Sequence, residues 1–271
     1  MLQKISIEEA EKFSRLINQD SYPINPYWLA YNAYHEKRNN ELTICERDVL
    51  WNNDFPFLVM PKDKTNWIRA IMTNATQEDL EKIKEENIKI RDFFKFGNEY
   101  YYKTEEFVNP EKNKSKNFKK AIKHFESKYN FNIKDSYPKE KILEFLENWK
   151  KTQKERNILF DISHEFEIFC IKKCGKINGK WLFVEINDKL AGYCLSYQLN
   201  KDFWVGIHQK VDYNYRGLSR FLLYKRASLF PKTKYFSLGE QARDKGIQEF
   251  KESLHPFKKV DRYYIVTDEK I

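Results

Sequence analysis

Val211-Asp212-Tyr213-Asn214-Tyr215-Arg216-Gly217-Leu218-Ser219-Arg220-Phe221-Leu222-Leu223 is the stretch on which the reading of this chain turns. An extended run over 203–211 leads into it, a turn with an Arg-Gly step follows, and an apolar-periodic helix begins at once. A strand that passes into a helix through glycine offers backbone N–H groups and a positive dipole end to an anion. Gly217 tolerates close approach or a positive φ. Arg216 and Arg220 add forked donors suited to phosphate. Arg216, Gly217, Leu218, Ser219 and Arg220 are therefore the candidate seat for a phosphate-bearing donor. The same pattern also fits an ordinary strand–helix connection with surface arginines.

Upstream of that turn, the spacing predicts strands over 181–186, 190–199 and 203–211, joined by Asn187-Asp188-Lys189 and Asn200-Lys201-Asp202 as a short-looped antiparallel meander. Helices are expected over 117–129, from Pro138 through the Ile142, Phe145, Leu146, Trp149 stripe, and from Ser163 to about Gly175. Downstream, the helix from Arg216 runs to about 229. A strand over 234–238 ends at Gly239-Glu240, a helix covers 246–254, and a strand over 262–267 closes the chain.

The first part of the chain has the same grammar. Ser6-Ile7-Glu8-Glu9 reads as a capping box, and 27–34 as a short helix. Strands are expected over 41–46, 55–60, 67–71, 88–94 and 99–102, with a helix opening at Thr76. Helix, strands, helix, strands in both halves predicts two copies of one fold: residues 1–108, then 109–271, divided at the polar, lysine-rich segment 109–116. The fold class is α/β (α+β), each half a mixed, mostly antiparallel sheet flanked by helices.

With 271 residues, 41% hydrophobic and 33% charged, the chain is long enough for two ordinary domains and is not a disordered polymer. The 21 Phe, 17 Tyr and 6 Trp must supply much of the core. A net charge of +9 favours anionic partners without choosing among tRNA, other polyanions and an anionic membrane surface, and lysine-rich composition alone can produce it. The helix 117–129 puts Phe118, Ile122, Phe125 and Tyr129 on one stripe and lysines off it. Lys116, Lys119, Lys120 and Lys123 are either polyanion contacts or a solvated face over packed residues. Four cysteines at 45, 170, 174 and 194 have no ligand spacing, so no metal is expected. Free thiols and the lack of a signal-like or spanning apolar run predict a cytoplasmic protein touching membranes only peripherally.

From about 112 to 265, the order helix, helix, three-strand meander, Tyr-Arg-Gly turn, helix, strand, helix, strand is similar to a GNAT (N-acetyltransferase-like) domain. More narrowly, the chain resembles the phosphatidylglycerol lysyltransferase C-terminal domain family, built from tandem GNAT-like halves. Three stretches carry this: Lys114 to Phe125; Asn214-Tyr215-Arg216-Gly217; and Leu238-Gly239-Glu240-Gln241 followed by Gly246 to Pro256. Glu240, Gly246, Lys251 and Pro256 match the family's pattern, while Gln248 stands where it has Arg. Two residues after Gly217, where an acetyl-CoA loop has Gly or Ala, stands Ser219.

The resemblance implies transfer of an aminoacyl group from aminoacyl-tRNA to an amine or hydroxyl acceptor, with no tightly bound cofactor. An acyl-CoA-dependent N-acyltransferase and a non-catalytic nucleic-acid- or lipid-binding module remain open. Candidate catalytic residues are Glu240, His208 and Lys251. Glu240 ends a strand and is either a base or an ion-pair partner of Arg243 or Lys245. His208, mid-strand, is either a general base facing a cleft or a packed histidine. Lys251, on the following helix, matches the family or is a surface lysine. The first half lacks an Arg-Gly strand–helix turn and is expected to be structural.

Overall fold

The structure, a computed structural model, describes residues 7–17, 26–34, 42–45, 48–51, 56–57, 64–155, 163–240 and 245–270. The described chain divides into two compact units. One takes residues up to Glu99 together with those from Lys259 onward, and the other runs Tyr100–Lys258. The division therefore falls nine residues before the expected 108/109 boundary, and the closing strand belongs largely with the first unit.

In the first unit, α1 (Ile7–Ile17) and α2 (Pro26–Tyr34) precede β1 (Leu42–Cys45), β2 (Asp48–Trp51) and β3 (Pro56–Phe57). A 3-10 turn, Lys64–Trp67, leads to β4 (Ile71–Ala75), so the strand expected over 67–71 begins where that reading ends. Thr76 then caps α3 (Gln77–Glu85): its hydroxyl accepts from the Asp79 N–H while the Asp79 carboxylate accepts from the Thr76 N–H. The next strand, β5 (Ile88–Lys103), is one long element where two short ones were expected. Met72, Ala75, Leu80, Ile83 and Ile88 form the core here with Ile265. Ser6, the expected cap of α1, lies outside the described residues.

The second unit continues with α4 (Thr104–Val108), a short helix the sequence reading did not foresee. Then come α5 (Lys116–Lys128), β6 (Phe131–Lys134), α6 (Lys139–Glu155) and α7 (Ser163–Lys173). The meander is β7 (Lys180–Ile186), β8 (Lys189–Gln198) and β9 (Phe203–Val211). Asn187 and Asp188 both have positive φ between the paired Ile186 and Lys189, the backbone a two-residue hairpin needs. After β9 come α8 (Leu218–Ala227), β10 (Tyr235–Glu240), α9 (Lys245–Glu252) and β11 (Lys258–Lys270), which pairs antiparallel with β4 in the first unit.

Within this unit the strand order is β10-β9-β8-β7-β6. Neighbours are antiparallel except β9 and β10, which run parallel across the α8 connection. In the first unit, β1, β2 and β3 are antiparallel neighbours, β3 and β4 are parallel, and β4 and β11 antiparallel. Each sheet is thus mixed and mostly antiparallel, with helices packed on it. The main core of the second unit is aromatic. Phe118, Phe125 and Ile122 of α5, Phe221 and Leu222 of α8, and Trp204 and Phe236 from the strands are all buried in it. The α5 stripe read from the sequence is a packed face.

A slot in the sheet beside the start of α8

Two features of β9 create a candidate site. The first is the end of its parallel ladder. Tyr235 pairs with Phe203, Phe236 with Trp204 and Ser237 with Val205, and there the pairing stops. Gly206 to Val211 and Leu238 to Glu240 therefore leave a gap in hydrogen bonding between two parallel strands at their C-terminal ends. In open α/β sheets ligands bind outside such ends. The second is a bulge. On the other edge of β9, Ser196 pairs with Gly206 and Leu195 with His208, so Ile207 is an extra residue. A bulge bends its strand and increases local twist, and it lies directly beyond Val205, the last residue of β9 paired with β10.

A buried guanidinium holds that bulge. Arg226 of α8 donates to Ser196 Oγ and to the Leu195 carbonyl, and its cation lies 5.8 Å from the Trp204 ring centroid. A methyl group on Gly206 would meet the Arg226 guanidinium at 2.5–2.7 Å, so any side chain there would have to displace it from the bulge. Neither Arg226 nor the bulge was anticipated from sequence. The only signal was Gly206 inside a strand pattern, which commonly marks a bulge or a close approach.

At the mouth of the slot, the turn is built by Asp212. Its carboxylate accepts from the Asn214 N–H and its carbonyl from the Tyr215 N–H. Gly217 follows as the N-cap of α8 at φ 93°, with its far side closed by α5: a methyl group there would collide with the Ala121 carbonyl oxygen. Leu218 and Arg220 have their N–H groups occupied, by the Tyr215 and Gly217 carbonyls at 3.1 Å each, and the Leu218 side chain is core. The five-residue seat read from sequence thus narrows. Among the described residues no acceptor takes the N–H groups of Arg216, Gly217 or Ser219. The Ser219 hydroxyl and carbonyl both accept from Gln209 Nε2, at 3.1 and 3.0 Å, tying the first turn of α8 to β9.

Arg216 is exposed at the turn. Arg220 is half-buried, 5.4 Å from the Phe250 centroid, with one long hydrogen bond of 3.4 Å to Ser253 Oγ. Among the described residues its Nε is buried without a partner and no carboxylate pairs with it, and burial lowers its pKa. Lys251, expected near the site, is buried rather than a surface residue; its Nζ donates to the Gly239 carbonyl at 3.2 Å, at the end of β10. Glu240 ends β10 as expected, but its side chain lies outside the described residues, as does Arg243.

His208 is brought to the slot from the other side. Gln209 faces α8, so by alternation His208 and Lys210 face α6 and α7, and the His208 ring sits 4.8 Å from that of Phe166. It is not grouped with the Arg216–Arg220 turn on one face. The basic helix is divided: Lys119 and Lys123 share Glu111, the latter at 3.5 Å, while Lys116 and Lys120 are exposed and have no ion pair among the described residues. Among the described residues no group of three or more His, Cys, Asp or Glu is placed to hold a metal, and no helix is long and apolar enough to cross a membrane.

The family model described as phosphatidylglycerol lysyltransferase, C-terminal, matches residues 60–266 of this chain. The chain belongs to that family. No curated protein matches it in sequence. Among solved structures, a conserved protein of unknown function from Bacteroides thetaiotaomicron VPI-5482 superposes with a TM-score of 0.78 at 13% identity, covering 98% of this chain and 99% of that one. FemX superposes with a TM-score of 0.64 at 10% identity and 96% coverage of both chains. L-PGS from Bacillus licheniformis gives 0.57 at 11% identity, covering 96% and 91%. At these identities the likeness is one of fold. Membership of the phosphatidylglycerol lysyltransferase C-terminal family and a mixed α/β fold are thus common ground between the sequence reading and the structure.

Proposed function

We propose that the chain transfers an aminoacyl group from aminoacyl-tRNA to an amine or hydroxyl acceptor, through the slot between β9 and β10. One observation carries this reading. Where the parallel ladder ends, three N–H groups and an arginine lie at the start of α8 with no acceptor or acid for them among the described residues. A terminal phosphate of the donor would take the Arg216, Gly217 and Ser219 amides and the Arg220 guanidinium. The ester carbonyl would then reach into the slot. Membership of a phosphatidylglycerol lysyltransferase family supports transfer of an aminoacyl group.

An aminoacyl ester is already activated, so the protein needs to position it and stabilise developing charge more than supply a nucleophile of its own. The acceptor's N or O attacks the ester carbonyl, its proton passes to a base, and the ribose oxygen leaves with a proton. His208, beside the bulge on the opposite face, and Glu240, at the end of β10, are the bases within this design. Lys251 would place positive charge at the same strand end. The first unit, whose sheet also contains one parallel strand pair, is read as a second, structural copy of the fold.

The test is a transfer assay with tRNA bulk-charged with radiolabelled amino acids, run against the same extract of acceptors supplied with acetyl-CoA. Label transferred from tRNA and abolished by Arg220→Ala supports the reading. Transfer from acetyl-CoA alone replaces it with the acyl-CoA enzyme. RNA or vesicle binding that survives Arg220→Ala and His208→Ala, with no transfer from either donor, replaces it with a binding module.

A further inference from the structure

The face of the second unit's sheet turned away from α5 and α8 is closed over part of its width. Over β7 and β8 it packs on α6 and α7, where Phe183 and Tyr193 meet Ile142, Leu146 and Ile171. Glu167 of α7, fully buried there, is already answered by Lys210 at 3.3 Å and by the Tyr193 hydroxyl, which donates to it at 2.7 Å. At the starts of β9 and β10 the same face carries aromatic rings instead. Trp204 and Phe236 stack on each other in the main core. By alternation their neighbours Phe203 and Tyr235, partners in the parallel ladder, point the other way. Tyr101 of β5 joins them, its ring 5.3 Å from that of Phe203. Phe257, whose N–H donates to the Tyr101 carbonyl, lays its ring 5.0 Å from that of Tyr235, tilted by 31°.

Tyr235 is 37% exposed and Phe257 45%. Single apolar residues on a surface are ordinary, but two rings in contact, with Tyr101 and Phe203 half-buried behind them, make a patch. Lysines frame it. The Lys234 and Tyr235 N–H groups both donate to the Asp202 carbonyl at 2.9 Å, and the Thr104 N–H donates to the Lys234 carbonyl at 2.9 Å, so these chain segments meet at one end of the sheet. Lys103, Lys201, Lys234 and Lys258, each one or two residues from a ring, are all exposed. Asp202 takes Lys234 at 3.1 Å, and the other three have no ion pair among the described residues. Exposed rings framed by cations suit a partner with flat faces and negative charge. Unpaired nucleotides have both, whereas a duplex keeps its base faces to itself. An anionic bilayer would meet the same charges, but a ring that enters a bilayer must project, and these two are more than half covered.

We propose that Tyr235 and Phe257, with Lys103, Lys201 and Lys258 around them, form a platform for unpaired nucleotides of an RNA. Bases stack on the two rings, and the phosphates that join them meet the lysines. The surface is defined by its own residues; its use in the reaction rests on the transfer reading above. From Tyr235 to Glu240, β10 runs about 17 Å, so nucleotides on the platform stand back from the slot. They are either those next to the reacting end of the donor or another unpaired stretch of the same RNA.

Fluorescence anisotropy of the full chain tests this with a short single-stranded RNA, a blunt RNA duplex, tRNA, and tRNA trimmed of its unpaired 3′ nucleotides. The single strand should bind more tightly than the duplex. Tyr235→Ala and Phe257→Ala should each weaken it about tenfold, while Tyr235→Phe and Phe257→Tyr keep it within about twofold. Lys103→Ala, Lys201→Ala and Lys258→Ala should each take about 0.7 from the slope of log Kobs against log[salt]. All these positions are at the surface, so melting temperatures should stay within about 3 °C. A fluorescent base analogue in the strand should be quenched on binding wild type and not, at saturation, on binding the double ring variant, a signal that charge alone does not produce. If the effect of the ring variants on tRNA binding vanishes on trimming, the platform holds the donor's 3′ end. If it persists, the platform holds another unpaired stretch.

Three results would overturn the proposal: a duplex bound as tightly as the single strand, ring-to-alanine variants that bind RNA like wild type, or vesicles of phosphatidylglycerol held through the rings with no RNA bound. The last would make the patch a membrane contact. If any of these coexists with transfer from charged tRNA, only the platform fails. If RNA binds through the rings and no donor supports transfer, the platform stands and the transfer reading fails.

Discussion

Arg220 is the residue whose surroundings are hardest to explain without an anion. Its guanidinium is half out of water, over the Phe250 ring, with an Nε that meets no acceptor among the described residues. Taking a cation from water without a counter-charge is unfavourable, and the downward push on its pKa by burial is the same effect seen as proton affinity. Removing it should therefore cost the free protein little. Arg220→Ala is expected to leave the melting temperature within about 3 °C while raising the KM for the donor about 10- to 100-fold, with kcat changed less; thermal melts and donor titrations of the transfer assay read the two separately. A large loss of stability with KM unmoved would make Arg220 a packing residue. Glu167 gives a prediction of opposite kind. Its folded pKa is depressed, so the stability it contributes is fully present above the unfolded carboxyl value of about 4.3. That contribution fades as pH falls through the folded value below it. Denaturant unfolding from pH 7 down to about pH 3 should show wild type losing stability more steeply below about pH 4.3 than Glu167→Gln, which has no such proton to gain. Parallel curves would mean that Lys210 and His208 do not hold the carboxylate as their geometry implies.

The β9–α8 connection shows what an element can and cannot announce of itself. Its bounds were legible: the strand 203–211 and the turn at Gly217 are where the alternation and the Arg-Gly step put them, because strand period and glycine backbone freedom are local properties. The same holds for the Asn187-Asp188 hairpin and the Thr76 cap. Hidden were the features set by residues far away in sequence. The bulge at Ile207 depends on Ser196 and Arg226, and the end of the parallel ladder on β10. Glu167 was passed over, although a lone acid on the same buried face as Cys170, Ile171 and Cys174 was a readable signal that something must answer its charge. Gly217 also has two jobs where the sequence suggested one. Besides its left-handed backbone it lets the start of α8 touch the Ala121 carbonyl of α5. Gly217→Ala combines an unfavourable φ with overpacking, and a loss of about 2–4 kcal/mol is expected in denaturant unfolding. A near-neutral Gly217→Ala would show that α5 moves aside easily, and the cradle would then owe little to that contact.

At the scale of the whole molecule, two things were beyond the sequence. The unit boundary at Glu99 is one, since β5 belongs to the first unit only up to that residue and β11 returns to it from the far end of the chain. The buried Glu99–Arg262 ion pair, at 2.7 Å, joins residues 163 positions apart, and no local pattern reports such a pairing. The use of the net charge of +9 is the other. Charge in bulk says only that polyanions are welcome, but the structure sorts the lysines of α5 into two kinds. Lys119 and Lys123 already answer Glu111, so giving up that contact offsets part of any gain from phosphate. Lys116 and Lys120 have no such tie and can neutralise phosphate outright. Binding of tRNA, followed by fluorescence anisotropy across a KCl series, should therefore lose about one unit of slope in log Kobs against log[salt] for Lys116→Ala and again for Lys120→Ala. Lys119→Ala and Lys123→Ala should lose less. Lys84→Ala, at an exposed position of α3 far along the chain from α5, serves as the control and should leave the slope where it was. If all five variants shift the slope alike, or none does, α5 is a solvated face over its Phe118, Ile122 and Phe125 stripe, and the polyanion is met elsewhere.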